Sequence, residues 1–315
     1  MKKYPIDRSF GLFARFAPPF GRAVFALADA ALALLPKGLR GARTERVRLG
    51  NVPALCIRPQ GAPQSPLPCL VYFHGGGFAF GAAPYHYQNA RAYAEGAGCA
   101  VFVVDYRLAP KHPYPLPQSD CIAAYRAVAE NAAAWGVDPA RIAVGGDSAG
   151  GCLAAETVRA AAECGLRPRF LLLVYPVLDA RMQTRSMQDY TDTPMWNARL
   201  NEKMWRFYLQ GRAYRSPAEW EDLSFFPPTY VEAAQFDCLH DEAAAFAQRL
   251  RAQGGRGRVF GYRRHDARLR HRPPQPAHAR GAAPQGRRAV RGVRLGYESA
   301  ARIAAGYAFA YQTSI

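Results

Sequence analysis

The stretch Arg141-Ile-Ala-Val-Gly-Gly-Asp-Ser-Ala-Gly-Gly-Cys152 decides how this chain folds, with Ser148 at its centre. Ile142 to Val144 are apolar and run into glycine, the pattern of a short buried strand. Beyond Ala149, the residues Leu153, Ala154, Ala155, Val158 and Ala161 recur at helical spacing. The chain therefore turns from strand to helix at Ser148. Gly146-Asp-Ser-Ala-Gly150 fits G-x-S-x-G, a turn that holds its serine in a strained backbone conformation. Glycines two residues to either side remove side chains that would clash there. The Ala149 N–H, first in the following helix, points where negative charge on a reacting oxygen would form. A glycine-rich turn with an incidental serine would read the same locally, so the rest of the chain has to decide.

Upstream, Cys69-Leu-Val-Tyr-Phe73 is a buried strand that runs directly into His74-Gly-Gly-Gly-Phe-Ala-Phe-Gly81. Backbone N–H groups of Gly75, Gly76 and Gly77 can approach a carbonyl oxygen because no Cβ stands in the way. A phosphate cradle is the alternative for such a loop, but neither GxxxxGK[ST] nor GxGxxG is present. His74 precedes the nucleophile and reads as an anchor of the loop rather than a base. The remaining elements alternate. Glu45 to Leu49 and Ala54 to Arg58 form a hairpin around Gly50-Asn51. Tyr85 to Glu95 is a helix, Ala100 to Asp105 a strand, and Ser119 caps a helix that runs to Trp135. Phe170 to Tyr175, Thr229 to Ala234 and Val259 to Tyr262 are strands, with a helix from Ala243 to Gln253. Strands separated by helices of this length give a mostly parallel sheet covered on both faces. Residues 180–224 break the rhythm with Tyr190, Trp196, Trp205, Phe207, Tyr208 and Trp220, and read as a helical insertion or lid. Residues 1–43 read as N-terminal cover. Its Ala/Leu helix, Ala23 to Leu35, carries Asp29 and is too short to span a bilayer.

His74-Gly-Gly-Gly-Phe78, Asp105-Tyr-Arg-Leu-Ala-Pro110 with His112-Pro-Tyr-Pro115, Gly136-Val-Asp-Pro139 with Arg141, Gly146-Asp-Ser-Ala-Gly-Gly151 and Asp237-x-Leu-x-Asp-Glu242 occur in that order. In these motifs the chain resembles the hormone-sensitive-lipase-like α/β-hydrolases, in particular bacterial acetyl esterases and lipases, over about residues 45 to 262. The resemblance implies an α/β-hydrolase domain over residues 1–262 and hydrolysis of small carboxylic esters. It makes Ser148 the nucleophile, Gly75, Gly76, Gly77 and Ala149 the oxyanion hole, and Asp237 the residue that orients a histidine base. Asp237 also follows a strand and lies after the serine, in the Ser…Asp…His order of that fold. Asp105 and Arg107 read as an ion pair and loop clamp, Asp241 and Glu242 as a helix N-terminal pair, and Cys152 and Cys164 as packing. No His/Cys/Asp cluster has metal-ligand spacing, and no cofactor is implied.

The net charge of +17 belongs mostly to one segment. Between Arg256 and Arg294, twelve arginines stand against Asp266 alone, a balance of +11 that leaves +6 for all other residues. There the family phrase Gly-Thr-Met-His-Gly-Tyr-Asp, which carries the histidine, is missing; the chain reads Arg264-His-Asp-Ala-Arg-Leu-Arg-His-Arg272. Those residues can be encoded as CGG CAC GAT GCA CGG CTA CGA CAT CGT. One base later, the same bases give Gly-Thr-Met-His-Gly-Tyr-Asp-Ile. A frameshift between about Gly261 and Arg264 is expected, with the histidine encoded across Ala267 and Arg268 and residues 263–315 forming an out-of-frame basic tail. A nucleic-acid-binding tail is the alternative for so many arginines. Without that histidine, a non-catalytic small-molecule-binding protein on the same fold is the rival expectation, with His265 the nearest substitute base. Seven scattered cysteines without a CxxC pair suit a reduced, cytoplasmic chain, and no apolar leader follows Met1-Lys2-Lys3.

Overall fold

A computed structural model of the chain describes residues 41–62 and 66–253, the strand Arg258–Tyr262, and scattered positions from Phe20 to Leu39. His265, Ala267, Arg268 and the rest of the basic tail lie outside the described residues, as does most of the expected N-terminal cover. Eight strands form one sheet: β1 (Arg43–Leu49), β2 (Val52–Arg58), β3 (Leu67–Phe73), β4 (Ala100–Val104), β5 (Val137–Asp147), β6 (Phe170–Val174), β7 (Thr229–Ala234) and β8 (Arg258–Tyr262). Their order is β1-β2-β4-β3-β5-β6-β7-β8. β2 runs antiparallel to β1 and β4, and every other pair is parallel. This is the expected mostly parallel, helix-covered sheet.

The central strands β3, β4 and β6 are buried along their whole length, as strands covered on both faces must be. Period-two alternation sends their side chains to two separate cores. Leu70, Tyr72, Val101, Val103 and Leu172 face one, where Ala90, Tyr93 and Ala94 of helix α1 (Pro84–Ala97) cover them. Val71, Phe73, Phe102, Val144 and Leu171 face the other. There α2 (Leu116–Glu130), α3 (Ala149–Glu163) and α6 (His240–Ala252) pack against them. Each fully buried aliphatic or aromatic side chain contributes about 1.5–3 kcal/mol to such a core. On the first face, α1 is the sole regular helix among the described residues. β1 is mostly exposed, and its Arg43, Arg46 and Arg48 protect the sheet edge from further pairing.

The β1–β2 hairpin turns through Gly50-Asn51, with Gly50 at φ +60°, and pairs Leu49 with Val52. The helix expected to be capped by Ser119 instead starts at Leu116. Pro115 holds the cap position and Ser119 Oγ donates to Pro115 O from inside the first turn. Proline in a first helical turn forfeits no hydrogen bond, so Pro117 helps the start rather than delaying it. Residues 180–224 contain α4 (Arg185–Asp189), α5 (Ala198–Leu209) and a 3₁₀ turn (Pro217–Glu219). α5 buries Met204, Trp205 and Tyr208 against the body of the sheet's second core. Among the described residues, no helix is long and apolar enough to cross a membrane.

One expected pairing is different in the structure, and Asp241 and Glu242 stand in the first turn of α6 as expected. Arg107 clamps Asp120, not Asp105: its Nε and Nη2 donate to the two carboxylate oxygens at 2.8 and 2.7 Å, and its N–H donates at 2.9 Å. Asp120 lies in α2, so this fork fixes the proline-rich loop to the helix that follows it. Glu242 is more than a charge at a helix start. Its side chain is buried and Oε1 accepts from Leu178 N at 2.6 Å and Asp179 N at 3.3 Å, joining α6 to the loop after β6.

Candidate active site

The elbow conformation is strained, and its neighbours show why it persists. Ser148 has φ +53° and ψ −120°, between β5 and α3. Its N–H donates to Val174 O at 2.9 Å, and its carbonyl accepts from Gly151 N and Val177 N, each at 3.0 Å. β6 and the loop after it therefore grip the serine backbone from one side. The flanking glycines are steric necessities. A Cβ on Gly146 would lie 2.6 Å from Phe73 O, and one on Gly150 would lie 2.6 Å from His74 O and overlap Phe73 O. The elbow and the end of β3 thus touch backbone to backbone, which brings the loop after β3 beside Ser148.

That loop has a defined orientation. His74 is buried; its Nδ1–H donates to Gly75 O at 2.7 Å and its ring stacks on Tyr106 at 4.4 Å. Tyr106 O–H in turn donates to His74 O at 2.6 Å. Gly76 O accepts from Ala79 N at 3.1 Å and Phe80 N at 2.9 Å. In a trans peptide the C=O and the next N–H point in opposite directions. Anchoring Gly75 O and Gly76 O on one side therefore turns Gly76 N–H and Gly77 N–H to the other. Neither N–H meets an acceptor among the described residues. Gly75 N–H differs: it donates to Asp147 Oδ1 at 2.9 Å. Gly76 and Gly77 have φ +114° and +60°, and a Cβ on Gly76 would come within 2.6 Å of Phe80 O.

Burial lowers the His74 imidazole to about 4, with His86 adding to the effect, so the ring is neutral and serves as an anchor. Asp147 is also buried, and its carboxylate accepts from Tyr72 O–H at 2.6 Å and from His86 Nε2 at 3.3 Å. Burial pushes that carboxyl up, but the His86 imidazole and then the Tyr72 hydroxyl outweigh it and hold it below the usual range. Asp147, Tyr72 and His86 were not singled out from sequence. The only signal available was polar residues in otherwise apolar or glycine surroundings, since a buried polar group needs a partner.

Asp237 follows β7, two strands from β5, so it and Ser148 lie at the same edge of the sheet, about 10 Å of strand spacing apart. Its Oδ1 accepts from Leu239 N at 3.0 Å. Burial pushes the carboxyl up to about 6 despite that bond, one from Cys238 and the charge of His240. His240 itself is bound through Nδ1 to Asp241 at 2.8 Å. β8 lies next to β7, and its last residue, Tyr262, pairs with Ala234, three residues before Asp237.

Aromatic side chains enclose the loop. Phe78 stacks on Tyr208 of α5 at 3.9 Å and 11°. Phe80 meets Phe20 and Phe25 edge-to-face at 5.5 and 5.0 Å, and Phe20 meets Trp196 at 5.6 Å. A Cβ on Gly77 would lie 3.0 Å from Trp196 and 3.1 Å from Phe20. Below, on α3, Cys152 and Glu156 follow Ser148 one and two turns later, both buried. Tyr214 O–H donates to Glu156 Oε1 at 2.7 Å and lies 3.2 Å from Cys152 Sγ. Burial raises the Glu156 carboxyl to about 8, Tyr214 and Arg159 pulling weakly the other way. Cys164, by contrast, is exposed.

The α/β-hydrolase fold family matches residues 70–265. The carboxylesterase NlhH of Mycobacterium tuberculosis is 40% identical over 198 residues, 60% of this chain and 62% of that protein. An ethyl acetate hydrolase of Pseudomonas putida is 35% identical over 204 residues, 62% of this chain and 64% of that one. The chain thus spans less than two thirds of the length of these relatives. The crystal structure of esterase LipW from Mycobacterium marinum superposes with a TM-score of 0.67 at 35% identity, covering 76% of each chain. With the motifs in order, the elbow at the end of β5 and these similarities, the chain belongs to the α/β-hydrolase fold family, in its hormone-sensitive-lipase-like branch.

Proposed function

We propose that this protein is built to hydrolyse small carboxylic esters through an acyl-enzyme on Ser148. The observation that carries the proposal is the pairing of a strained serine with two N–H groups turned away from their anchored carbonyls. Ser148 Oγ attacks the ester carbonyl while a histidine takes its proton, and the alcohol leaves with that proton. Water then attacks the acyl-enzyme by the same route in reverse. Gly76 N–H, Gly77 N–H and Ala149 N–H receive the oxyanion. Gly75 contributes space: a Cβ there would press on the Asp147 carboxylate. Asp237 orients the histidine; a carboxyl pushed up to about 6 is one that a cationic imidazole beside it would hold ionised. Phe20 and residues 180–224 form the lid, since Phe20, Trp196 and Phe207 gather over the loop. Seven unpaired cysteine thiols accord with a reducing, cytoplasmic setting.

The histidine is encoded one frame away, across Ala267 and Arg268. The family match ends at residue 265, inside the displaced phrase, and the arginine surge surrounds it. The test is the nucleotide sequence of codons 261 to 272, followed by expression of the frame-restored chain. That chain should hydrolyse p-nitrophenyl acetate orders of magnitude faster than the chain ending in the basic tail, and Ser148→Ala in it should abolish turnover. Codons incompatible with Gly-Thr-Met-His-Gly-Tyr-Asp defeat the frameshift. Tight ligand binding without turnover in the chain that lacks the histidine favours the rival, non-catalytic protein.

A further inference from the structure

We propose that Asp147 is the positioning residue that locks the oxyanion loop to the nucleophile elbow, through a buried carboxylate shared by Gly75 N–H, Tyr72 O–H and His86 Nε2–H. This rests on the serine-hydrolase reading above for its catalytic meaning. Asp147 immediately precedes Ser148, so any movement of its side chain is felt at the strained turn. Its Oδ1 accepts Tyr72 at 2.6 Å and Gly75 at 2.9 Å, and its Oδ2 faces His86 at 3.3 Å. The direction of the His86 contact is fixed on its far side. Ala83 N–H donates to His86 Nδ1 at 2.8 Å, which leaves the ring proton on Nε2, aimed at the carboxylate. Three donors from three elements (β3, the loop after it, and α1) converge on one acceptor-only group.

The consequence for the loop is geometric. Gly75 has both of its peptide polar atoms held, the N–H by Asp147 and the C=O by His74. The peptide plane that carries Gly76 N–H is held by His74 through Gly75 O, and the plane before it by Asp147 through Gly75 N–H, so Gly75 is pinned from both sides. The same anchor removes Gly75 N–H from the set of donors open to a substrate, so two loop donors remain rather than three. Gly75 must be glycine because its Cβ would sit 3.1 Å from Asp147 Cγ and nearer still to Oδ2. Asp147 and the loop glycine thus share one contact surface.

Amide-resolved hydrogen exchange on the full-length chain tests this directly. Gly75 N–H should be protected at least ~100-fold more than Gly76 N–H and Gly77 N–H. Asp147→Ala should lower Gly75 protection at least tenfold while strand amides of β3 and β4 keep theirs. In the frame-restored chain it should lower kcat for p-nitrophenyl acetate about 100-fold with KM within threefold. Asp147→Asn retains Oδ1 for Gly75 and Tyr72 but faces His86 with an amide; it should recover at least tenfold of the lost kcat. Equal exchange of Gly75, Gly76 and Gly77 in the parent overturns the proposal, as does unchanged loop exchange in a folded Asp147→Ala. A loss confined to KM does so too. If Asp147→Ala does not fold, the parent exchange pattern and Asp147→Asn decide. Unchanged hydrolysis in Ser148→Ala would defeat the serine mechanism instead, and leaves the exchange pattern to judge the lock separately.

Discussion

Glu156→Gln should flatten the dependence of stability on pH. Glu156 is buried two helical turns after Ser148, and its carboxyl is pushed up to about 8 from an ordinary 4.5, chiefly by burial. The folded state therefore holds the proton more tightly than the unfolded chain does. The stability this confers is complete below about pH 4.5 and is lost as pH rises through about 8. The full span corresponds to roughly 5 kcal/mol, at about 1.4 kcal/mol per pH unit. Between pH 6 and pH 8 the loss is about 2 kcal/mol. Asp237, pushed up to about 6, titrates in the same sense but mostly below that window, and it is common to both proteins. Gln keeps an oxygen for Tyr214 O–H and carries no proton to lose. Urea denaturation at pH 6 and pH 8 should show the parent losing about 2 kcal/mol more than Glu156→Gln, or roughly 3 °C in melting temperature at about 2.1 cal/mol/K of unfolding entropy per residue. Parallel losses in the two proteins would refute the assignment and mean that Glu156 is ionised in the folded state.

Gly76→Val in the frame-restored chain should lower turnover by about 100-fold or more, because φ +114° and the approach to Phe80 O force the loop to shift and remove a donor. A folded variant with unchanged turnover would mean that the loop glycines serve packing alone. Gly150→Ala should cost about 3 kcal/mol or more in urea denaturation, since the new methyl meets backbone oxygens of Phe73 and His74 rather than yielding side chains. A loss under 1 kcal/mol would show that β3 and the elbow can separate freely.

The elements legible in the sequence were those whose signal is local. β3, β4 and β6 declare themselves as unbroken apolar runs, and β7 is found at Thr229–Ala234 because Pro227 and Pro228 precede it and Asp237 follows. The elbow was legible because its steric demand falls on residues two positions away. What stayed hidden was every polar pairing across the chain. Asp147 lies 75 residues from Tyr72 and 61 from His86, so no periodicity links them. Arg107 had Asp105 two residues before it in sequence, but Asp120, thirteen residues on, is the carboxylate that its fork grips. Glu242 read as a helix-start charge because its true partners, the amides of Leu178 and Asp179, leave no trace in side-chain composition. Proline rather than serine began α2, a case where two start signals, Pro115 and Ser119, competed four residues apart.

The sheet order has a bearing on how such a chain is made. β3, β4 and β5, which carry the loop and the elbow, are adjacent at the sheet's centre and leave the ribosome before β6, β7 and β8. Growth then proceeds outward, one strand at a time, to β8 at the rim. Nascent domains fold as their N-terminal parts emerge, so the serine's surroundings can be assembled before the codons beyond Tyr262 are translated. A change in the message beyond Tyr262 therefore leaves β3, β5, the glycine loop and the elbow with their backbone contacts, since every residue that grips Ser148 is encoded before Tyr262.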